Sequence, residues 1–212
     1  LPALAATTAD LALASAARRG GMPLAEALAT RRSVRRFGPQ PMTLAAVGQL
    51  LWATQGISAT GRRTAPSAGA LYPLELHLVA ARIDGLAQGA YRYLPEAHAL
   101  HRTGAQTTTE GLQSAALGQA SLGMASAVVA ITAVEARSAA KYGHRAPRYA
   151  AFETGAASQN LALQAVALGL GEHVVDGRQQ VVAESAHALG SSLPDLDEIV
   201  HKDVGVAEWA LV

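Results

Sequence analysis

The chain has 212 residues, of which 50% are hydrophobic and 16% charged, and its formal net charge is +1. One domain with a buried core is therefore the default, and the near-neutral charge with only 4% aromatic residues argues against nucleic-acid binding. The absence of cysteine excludes disulfides, thiolate metal sites and cysteine nucleophiles. No apolar run approaches the length that crosses a bilayer, so we expect no membrane partner.

The first twenty residues form an alanine-rich stretch without a strong periodic pattern. We interpret residues 1–20 as an arm and residues 21–212 as a single domain. The stretch does not begin with methionine, and its small residues fit either the end of a cleaved signal peptide or an arbitrary chain boundary. We expect a cytoplasmic protein, or a periplasmic or secreted one if a signal peptide was removed.

The pattern predicts a mixture of helices and strands without regular alternation, which favours an α+β fold over a doubly wound one. Thr43, after Pro41, is a plausible N-cap for the second helix. The predicted elements are a helix at 22–30, a helix at 43–57, a loop at 61–73, a strand at 74–83, a hairpin formed by GAYRYL and ALHR, a strand at 126–134, a helix at 147–168, a strand at 172–175, a helix near 178–189 and a strand at 198–206.

Four arginines lie within the six residues 31–36, in the segment RRSVRRF. Such a run is typical either of a solvated basic turn or of a patch that binds an anion. Guanidinium groups pair with phosphate oxygens through two hydrogen bonds, which lysine cannot reproduce. The cluster therefore predicts a phosphate site as one of two interpretations.

The predicted long helix carries Gly155, Ala156, Ala157 and Ser158 in succession, so it has almost no side-chain bulk at its middle. Glycine in a helix costs about 1 kcal/mol relative to alanine, and a close helix approach is the usual compensation. The approach could lie inside one domain, or it could be made by the same helix of a second copy across a two-fold axis.

Three segments in this order resemble the nitroreductase superfamily of FMN-dependent enzymes: RRSVRRF, then APSAGALYP before a strand, then KYGHRAPRYAAFETGAASQNLALQAVALGLG. The likeness runs from about Gly21 to Val206 and is strongest for the SagB-type branch, which includes the azoline dehydrogenases. It implies an α+β sandwich with a central mixed or antiparallel sheet flanked by helices. It further implies a homodimer through long central helices, with two FMN sites at the subunit interface.

The resemblance implies which residues bind FMN. For the phosphate and ribityl chain these are Arg31, Arg32, Ser33 and Arg35, whereas Arg36 is expected to point away. Pro66, Ser67, Ala68 and Gly69 are expected to contact the flavin, where small residues leave space for a flat ring, although the loop could also be an ordinary turn. Val175, Asp176 and Gly177 are expected near the flavin dimethylbenzene edge and N5.

Lys141 and Tyr142 stand where the azoline dehydrogenases have a neighbouring Lys and Tyr that are associated with catalysis. Dehydrogenation of an azoline ring needs a base for a ring proton, and either side chain could serve. The other interpretation is a surface lysine beside a tyrosine that packs on the long helix.

Other polar residues carry less information. The histidines, His77 on a predicted strand among them, form no motif with metal-ligand spacing, so we expect no metal site. Glu153, Gln159 and Asn160 are expected to make hydrogen bonds across the dimer interface. No G-x-G-x-x-G follows a strand, so NAD(P)H would bind only transiently, over the flavin, as electron donor.

One departure from the family concerns the chain after the last predicted strand. Many nitroreductases have further basic phosphate ligands there, whereas this sequence ends in VGVAEWALV. Arg62, Arg63 or Arg145 could compensate, and FMN binding is otherwise expected to be weaker. Two functions remain: a flavoenzyme that exchanges hydride with a small organic substrate, as a SagB-type dehydrogenase or an NAD(P)H-dependent nitro or quinone reductase, or a non-catalytic flavin-binding or scaffold protein.

Overall fold

The structure is a computed structural model that describes residues 10–104, 108–115, 118–176 and 204–211. In this part of the chain no helix is long and apolar enough to span a membrane. Short 3₁₀ turns lie at Ala68–Ala70 and Gly143–Arg145. The described α-helices are α1 (Leu24–Thr30), α2 (Leu44–Gln55), α3 (Thr109–Ala115), α4 (Ala120–Met124), α5 (Ala136–Tyr142) and α6 (Ala146–Ala167).

The described strands form one large antiparallel sheet and two small two-stranded ones. They are β1 (Leu11–Ala12), β2 (Met42–Thr43), β3 (Ile57–Ala59), β4 (Arg62–Arg63), β5 (Leu74–Ala80), β6 (Ile83–Asp84), β7 (Gly89–Leu94), β8 (Ala99–Arg102), β9 (Ala127–Val134), β10 (His173–Asp176) and β11 (Val204–Leu211). The large sheet has the order β1-β8-β7-β5-β9-β11-β10, and every neighbouring pair is antiparallel.

The core lies between one face of this sheet and the helices α2 and α6. Strand β5 alternates, and its residues Leu74, Leu76 and Leu78 are buried in the same cluster as Leu51 of α2 and Leu161 of α6. Thr43 caps α2, because its side chain accepts a hydrogen bond from the backbone N–H of Ala46. The α+β sandwich predicted from the sequence is therefore confirmed.

Most predicted elements agree with the structure within one to three residues, including both N-terminal helices, the hairpin and the long helix. The last strand is wrong in its bounds, because residues predicted to follow it form β11 between β9 and β10. Glu208 interrupts the apolar run there, so periodicity alone did not extend the strand. The helix predicted near 178–189 lies outside the described residues.

Part of the predicted arm, residues 10–20, lies against the domain. Leu11 and Ala12 pair with β8 at the edge of the sheet. Farther along, the backbone of Ala17 donates to and accepts from the side chain of Gln49, and the Arg18 guanidinium lies over the Trp52 ring. These contacts attach this segment to helix α2.

Helix α6 has one buried face and one exposed face, and the bare segment is divided between them. Ala157 and Ser158 are buried within the chain, whereas Gly155 is exposed, and a Cβ built on Gly155 would meet no atom within 4 Å. Phe152, one turn earlier, is 62% exposed. Packing within the chain, one of the two explanations that the sequence left open, therefore accounts for Ala157 and Ser158 and not for Gly155.

Candidate active site

A tight connection between helices α5 and α6 positions Lys141 and Tyr142. Gly143 follows α5 with a positive φ of 53°, and Pro147 lies in the first turn of α6, where proline is tolerated. The ring of Tyr142 meets that of Tyr149 edge to face, with centroids 4.7 Å apart. Lys141 is exposed, and its amino group lies 5.6 Å from the centroid of the Tyr142 ring.

The loop before β5 turns through an unusual backbone conformation. Gly69, Ala70 and Tyr72 all have positive φ values, of 64°, 54° and 47°. Such angles favour glycine, and they cost other residues roughly 1–2 kcal/mol each. Hydrogen bonds hold the turn: Ala70 N donates to Ser67 O, and Tyr72 N donates to the Ser67 hydroxyl.

The loop and the Lys–Tyr pair meet at Gly69. A methyl group at the α-carbon of Gly69 would come within 2.8 Å of both the Lys141 amino nitrogen and the Tyr142 hydroxyl oxygen. The backbone angle favours glycine at this position, and any larger residue would also have to displace the ends of the Lys141 and Tyr142 side chains. Residues 72 positions apart in the sequence, predicted separately, form one cluster.

Glu153 of α6 connects that helix to the same loop. Glu153 is 5% exposed, and its carboxylate accepts a hydrogen bond of 2.8 Å from the backbone N–H of Ala68. Burial raises the pKa of this carboxyl above its ordinary value, and the Ala68 N–H and the nearby Ser67 hydroxyl oppose the rise. We name Ser67, Ala68, Gly69, Lys141, Tyr142 and Glu153 the loop cluster.

The arginine segment lies beside the start of β10. Ser33 forms a parallel bridge with Glu172, and Val34 N donates to Glu172 O at 2.7 Å. A Cβ on Gly171 would lie 2.9 Å from a methyl carbon of Val34, so only glycine permits this approach. The segment is thus fixed by backbone contacts to residues about 140 positions away.

A buried ion pair orients Arg31. The Glu172 carboxylate is 1% exposed, and one of its oxygens lies 2.9 Å from a guanidinium nitrogen of Arg31. Its other oxygen, Oε2, is buried without a hydrogen-bond partner. Arg31 has five N–H donors, so the pair leaves most of them for another anion.

Three other predicted phosphate ligands, Arg32, Ser33 and Arg35, are exposed around this ion pair. Arg32 folds back onto the carbonyl oxygens of Ala29 and Arg31. Burial lowers the pKa of His173, and the charge of Arg35 lowers it further. We name Arg31, Arg32, Ser33, Arg35, Glu172 and His173 the arginine cluster.

The remaining predicted residues are placed as follows. Val175 and Asp176 belong to β10, so their strand begins at the arginine cluster, and Gly177 lies outside the described residues. Pro66 precedes the loop turn and is exposed. Among the described residues, no hydrogen bond or ion pair joins the arginine cluster to the loop cluster, and no group of acidic and histidine residues could hold a metal ion.

A comparison with protein-family models identifies the family of this chain. The model of the nitroreductase family matches residues 28–202, which include both clusters. This chain belongs to the nitroreductase family. It is 38% identical over 149 residues to a candidate nitroreductase of Methanocaldococcus jannaschii, a match that covers 70% of this chain and 75% of the relative.

Solved structures show the same nitroreductase fold. A candidate nitroreductase from Ralstonia eutropha superposes with a TM-score of 0.72 at 26% identity, covering 98% of this chain and 90% of that one. The Escherichia coli microcin synthetase McbBCD complex with truncated pro-MccB17 bound gives 0.59 at 26%, covering 78% and 65%. A candidate nitroreductase from Desulfovibrio desulfuricans in complex with FMN gives 0.57 at 18%, covering 90% and 86%.

The residues of this nitroreductase chain fit the chemistry of FMN. Exposed guanidinium groups beside a serine hydroxyl suit a phosphate, and a turn without side-chain bulk at Gly69 allows a flat ring to approach. Ala68 is one of the residues expected to contact the flavin, but its backbone N–H is not available as a donor because it is already bonded to Glu153. Arg63 is also engaged, with Glu96, Gln55 and the Leu74 carbonyl.

The sequence analysis missed several residues that build the site. Glu153 was expected to make hydrogen bonds across a dimer interface, which stays a prediction; its bond to the loop of its own chain was not foreseen. Glu172, Gly171 and the stacking partner Tyr149 were not singled out. Glu172 is a carboxylate next to apolar residues that form a strand, and an unmatched charge in such a place was the available signal.

The contact at Gly69 can be tested with a matched pair of glycines. Gly69→Ala and Gly61→Ala both place alanine at a φ near +65°, and each should cost about 1–2 kcal/mol of unfolding free energy. Only Gly69→Ala should displace Lys141, because nothing lies within 4 Å of a Cβ at Gly61. The chain has two lysines, Lys141 and Lys202, so NMR of isotope-labelled lysine resolves the effect.

In that NMR experiment, the signal that is lost in Lys141→Ala is assigned to Lys141. We expect this signal to move in Gly69→Ala and to stay in place in Gly61→Ala. Equal shifts in the two variants would show that the side chain of Lys141 does not depend on the bare α-carbon of Gly69.

Proposed function

We propose that this nitroreductase-family chain is an FMN-dependent oxidoreductase that transfers hydride between the flavin and a small organic substrate. The observation that carries the proposal is the meeting of Lys141 and Tyr142 with Gly69, which places two proton-carrying groups beside a loop suited to a flavin ring. The FMN complex of the Desulfovibrio desulfuricans structure supports the choice of cofactor. We also propose that NAD(P)H binds transiently as electron donor. A cytoplasmic location would be consistent with such a donor.

The arginine cluster would hold the phosphate of the cofactor. A phosphate monoester carries between one and two negative charges at neutral pH, which Arg32 and Arg35 would neutralise while Ser33 adds a neutral donor. Glu172 keeps Arg31 in a fixed orientation, so less conformational entropy would be lost when the anion binds. These residues bind and orient, and take no part in proton transfer.

Bound FMN supplies the hydride acceptor and donor, and the chain supplies the proton chemistry. In a dehydrogenation, a base must remove a proton from the substrate carbon next to the one that loses hydride. The Lys141 amino group and the Tyr142 hydroxyl are the nearest such groups to Gly69 and are accessible. In a reduction the same groups would return a proton to the substrate.

Within the family we favour a SagB-type dehydrogenase over a simple nitro or quinone reductase. The Lys–Tyr pair supports this choice, and so does the likeness to the microcin synthetase complex at 26% identity. Reduction of a nitro group or quinone needs only hydride and a proton that water can supply. An elaborate proton-carrying pair would be unnecessary for that reaction.

The first prediction of this proposal concerns the phosphate ligands. Arg35→Ala should weaken FMN binding on the order of ten- to a hundredfold, because a charged hydrogen bond is worth roughly 1.5–3 kcal/mol. Arg36→Ala is the matched control, since it removes the same charge one residue farther along and should have a much smaller effect. Flavin fluorescence titration measures both, and equal losses would mean that general charge, not Arg35, binds the phosphate.

The second prediction concerns Lys141 and Tyr142. Lys141→Ala and Tyr142→Phe should retain FMN and slow the oxidation of an azoline substrate by roughly 10² to 10⁴, the usual contribution of general acid–base groups. Reduction of a quinone by the same variants should change little. Stopped-flow spectra of the flavin measure each half-reaction, and full activity of both variants on every substrate would make the pair structural.

We also propose that two copies form a homodimer through α6. The exposed Phe152 and the bare Gly155 lie three residues apart on the same face, so a second copy of the helix could approach Gly155 closely and cover Phe152. In the single chain the Phe152 ring is covered only in part, by the Arg148 guanidinium 5.5 Å from its centroid, and a second copy would remove its remaining apolar surface from water. A dimer would also allow the arginine cluster of one copy and the loop cluster of the other to serve one flavin.

The third prediction uses Gly155 to test this interface. In an isolated chain Gly155→Ala should raise the unfolding free energy by about 1 kcal/mol, because alanine is the better helix former and its Cβ meets nothing. If a partner helix packs there, the same methyl group should weaken the dimer, and Gly155→Phe should abolish it. Sedimentation equilibrium distinguishes an isolated chain from a dimer, and a monomeric wild type would overturn the proposal.

A further inference from the structure

Two residues one turn apart on α6 reach the two halves of the loop cluster. Tyr149 packs its ring edge to face against Tyr142, and Glu153 accepts a hydrogen bond from the backbone of Ala68. Residues four positions apart on a helix lie on the same face, so one rigid element carries both contacts. The relative position of the loop and the Lys–Tyr pair is therefore set by α6.

We propose that Glu153 is a positioning residue that holds the 67–69 turn against Lys141 and Tyr142, and that proton transfer by this pair depends on it. This inference rests on the function proposed above. Glu153 is not assigned a catalytic role, because its carboxylate is bonded to the backbone N–H of Ala68 in the loop. Glu153 would affect the reaction only indirectly, by fixing the position of Gly69 against Lys141 and Tyr142.

The backbone of the loop shows why such an anchor is needed. Among the described residues only three that are not glycine have positive φ, and two of them, Ala70 and Tyr72, are in this loop. Together with Gly69, they hold a conformation that the local chain does not favour, so contacts from outside must stabilise it. Glu153 supplies one such contact, through the hydrogen bond from the Ala68 N–H.

The Ser67 hydroxyl lies beside this anchor and holds the next part of the loop. It accepts a hydrogen bond from the backbone N–H of Tyr72, and it is near enough to Glu153 to affect the pKa of that carboxyl. A buried carboxylate without a hydrogen-bond donor would cost several kcal/mol, so its bond to the Ala68 N–H stabilises both the carboxylate and the turn. Glu153 thus fixes Ala68 directly, and the Ser67 hydroxyl holds the chain beyond it at Tyr72.

The test compares three variants. Glu153→Ala removes the acceptor, Glu153→Gln keeps an oxygen that can accept from Ala68, and Glu110→Ala on α3 is the control for loss of an exposed carboxylate. In the flavin-free protein, hydrogen exchange of the Ala68 amide should be roughly tenfold faster or more in Glu153→Ala, as expected for one lost hydrogen bond. The Lys141 NMR signal should move in this variant, and both readouts should be near wild type in the other two.

Kinetics separate positioning from general stability. With FMN bound, Glu153→Ala should lower kcat for the azoline substrate roughly tenfold or more with little change in KM, and Glu153→Gln should restore most of it. In a Lys141→Ala background, Glu153→Ala should lower kcat no further, because the two residues act in series. An additive loss, or a Glu153→Gln variant as slow as Glu153→Ala, would overturn the positioning role.

Two further outcomes are decided by other measurements. If Glu153→Ala does not fold, Ser67→Ala removes the hydroxyl that lies beside Glu153 and accepts from Tyr72 N, and it should shift the Lys141 signal in the same direction by less; no shift there would count against the inference. If the wild type binds no FMN or turns over no substrate, the proposed function fails. The Ala68 and Lys141 readouts, made without flavin, would then still decide whether Glu153 positions the turn.

Discussion

The close packing of α6 on the sheet is the constraint on which the site depends. The residues that α6 buries in the core are small where it meets the sheet, with Ala150, Ala157 and Ala165 fully buried around Leu161. Small side chains bring a helix axis close to its neighbour and leave little freedom to slide or rotate. Every side chain that α6 directs toward the loop is therefore fixed in place by the core.

Two buried carboxylates are the costly features of this fold, and each fixes a segment that lies outside the α-helices and the large sheet. Glu153 holds the turn at Ala68, and Glu172 holds the segment that begins at Arg31. Burying a charge is unfavourable unless it is paired, and one oxygen of Glu172 remains without a partner. A fold selected for stability alone would replace such groups by apolar ones, so their presence in both segments points to a requirement for position.

Much of the fold could be predicted from the sequence, and the reason is periodicity. Alternation in β5, the N-cap at Thr43 and the small residues of α6 are all local signals, and the structure bears them out. The contacts that assemble the site are not local. Nothing in the sequence near Gly69 indicates that Lys141 lies against it, and nothing near Arg31 indicates Glu172 as its partner. The strand β11 was misplaced because its neighbours in the sheet, β9 and β10, decide its length.

The separation of the arginine cluster from the loop cluster follows from the same architecture. One cluster is attached to the start of β10 through Glu172, and the other to α5 and α6 through Gly69 and Glu153, so each is built on its own rigid support. In the proposed FMN complex the phosphate and the flavin ring belong to one molecule, so the two clusters would have to lie at a fixed distance from each other. If two copies meet through the exposed face of α6, that distance is set by the dimer, and a single helix then controls the loop, the proton-carrying pair and the assembly. A change that moved α6 would then alter all three together.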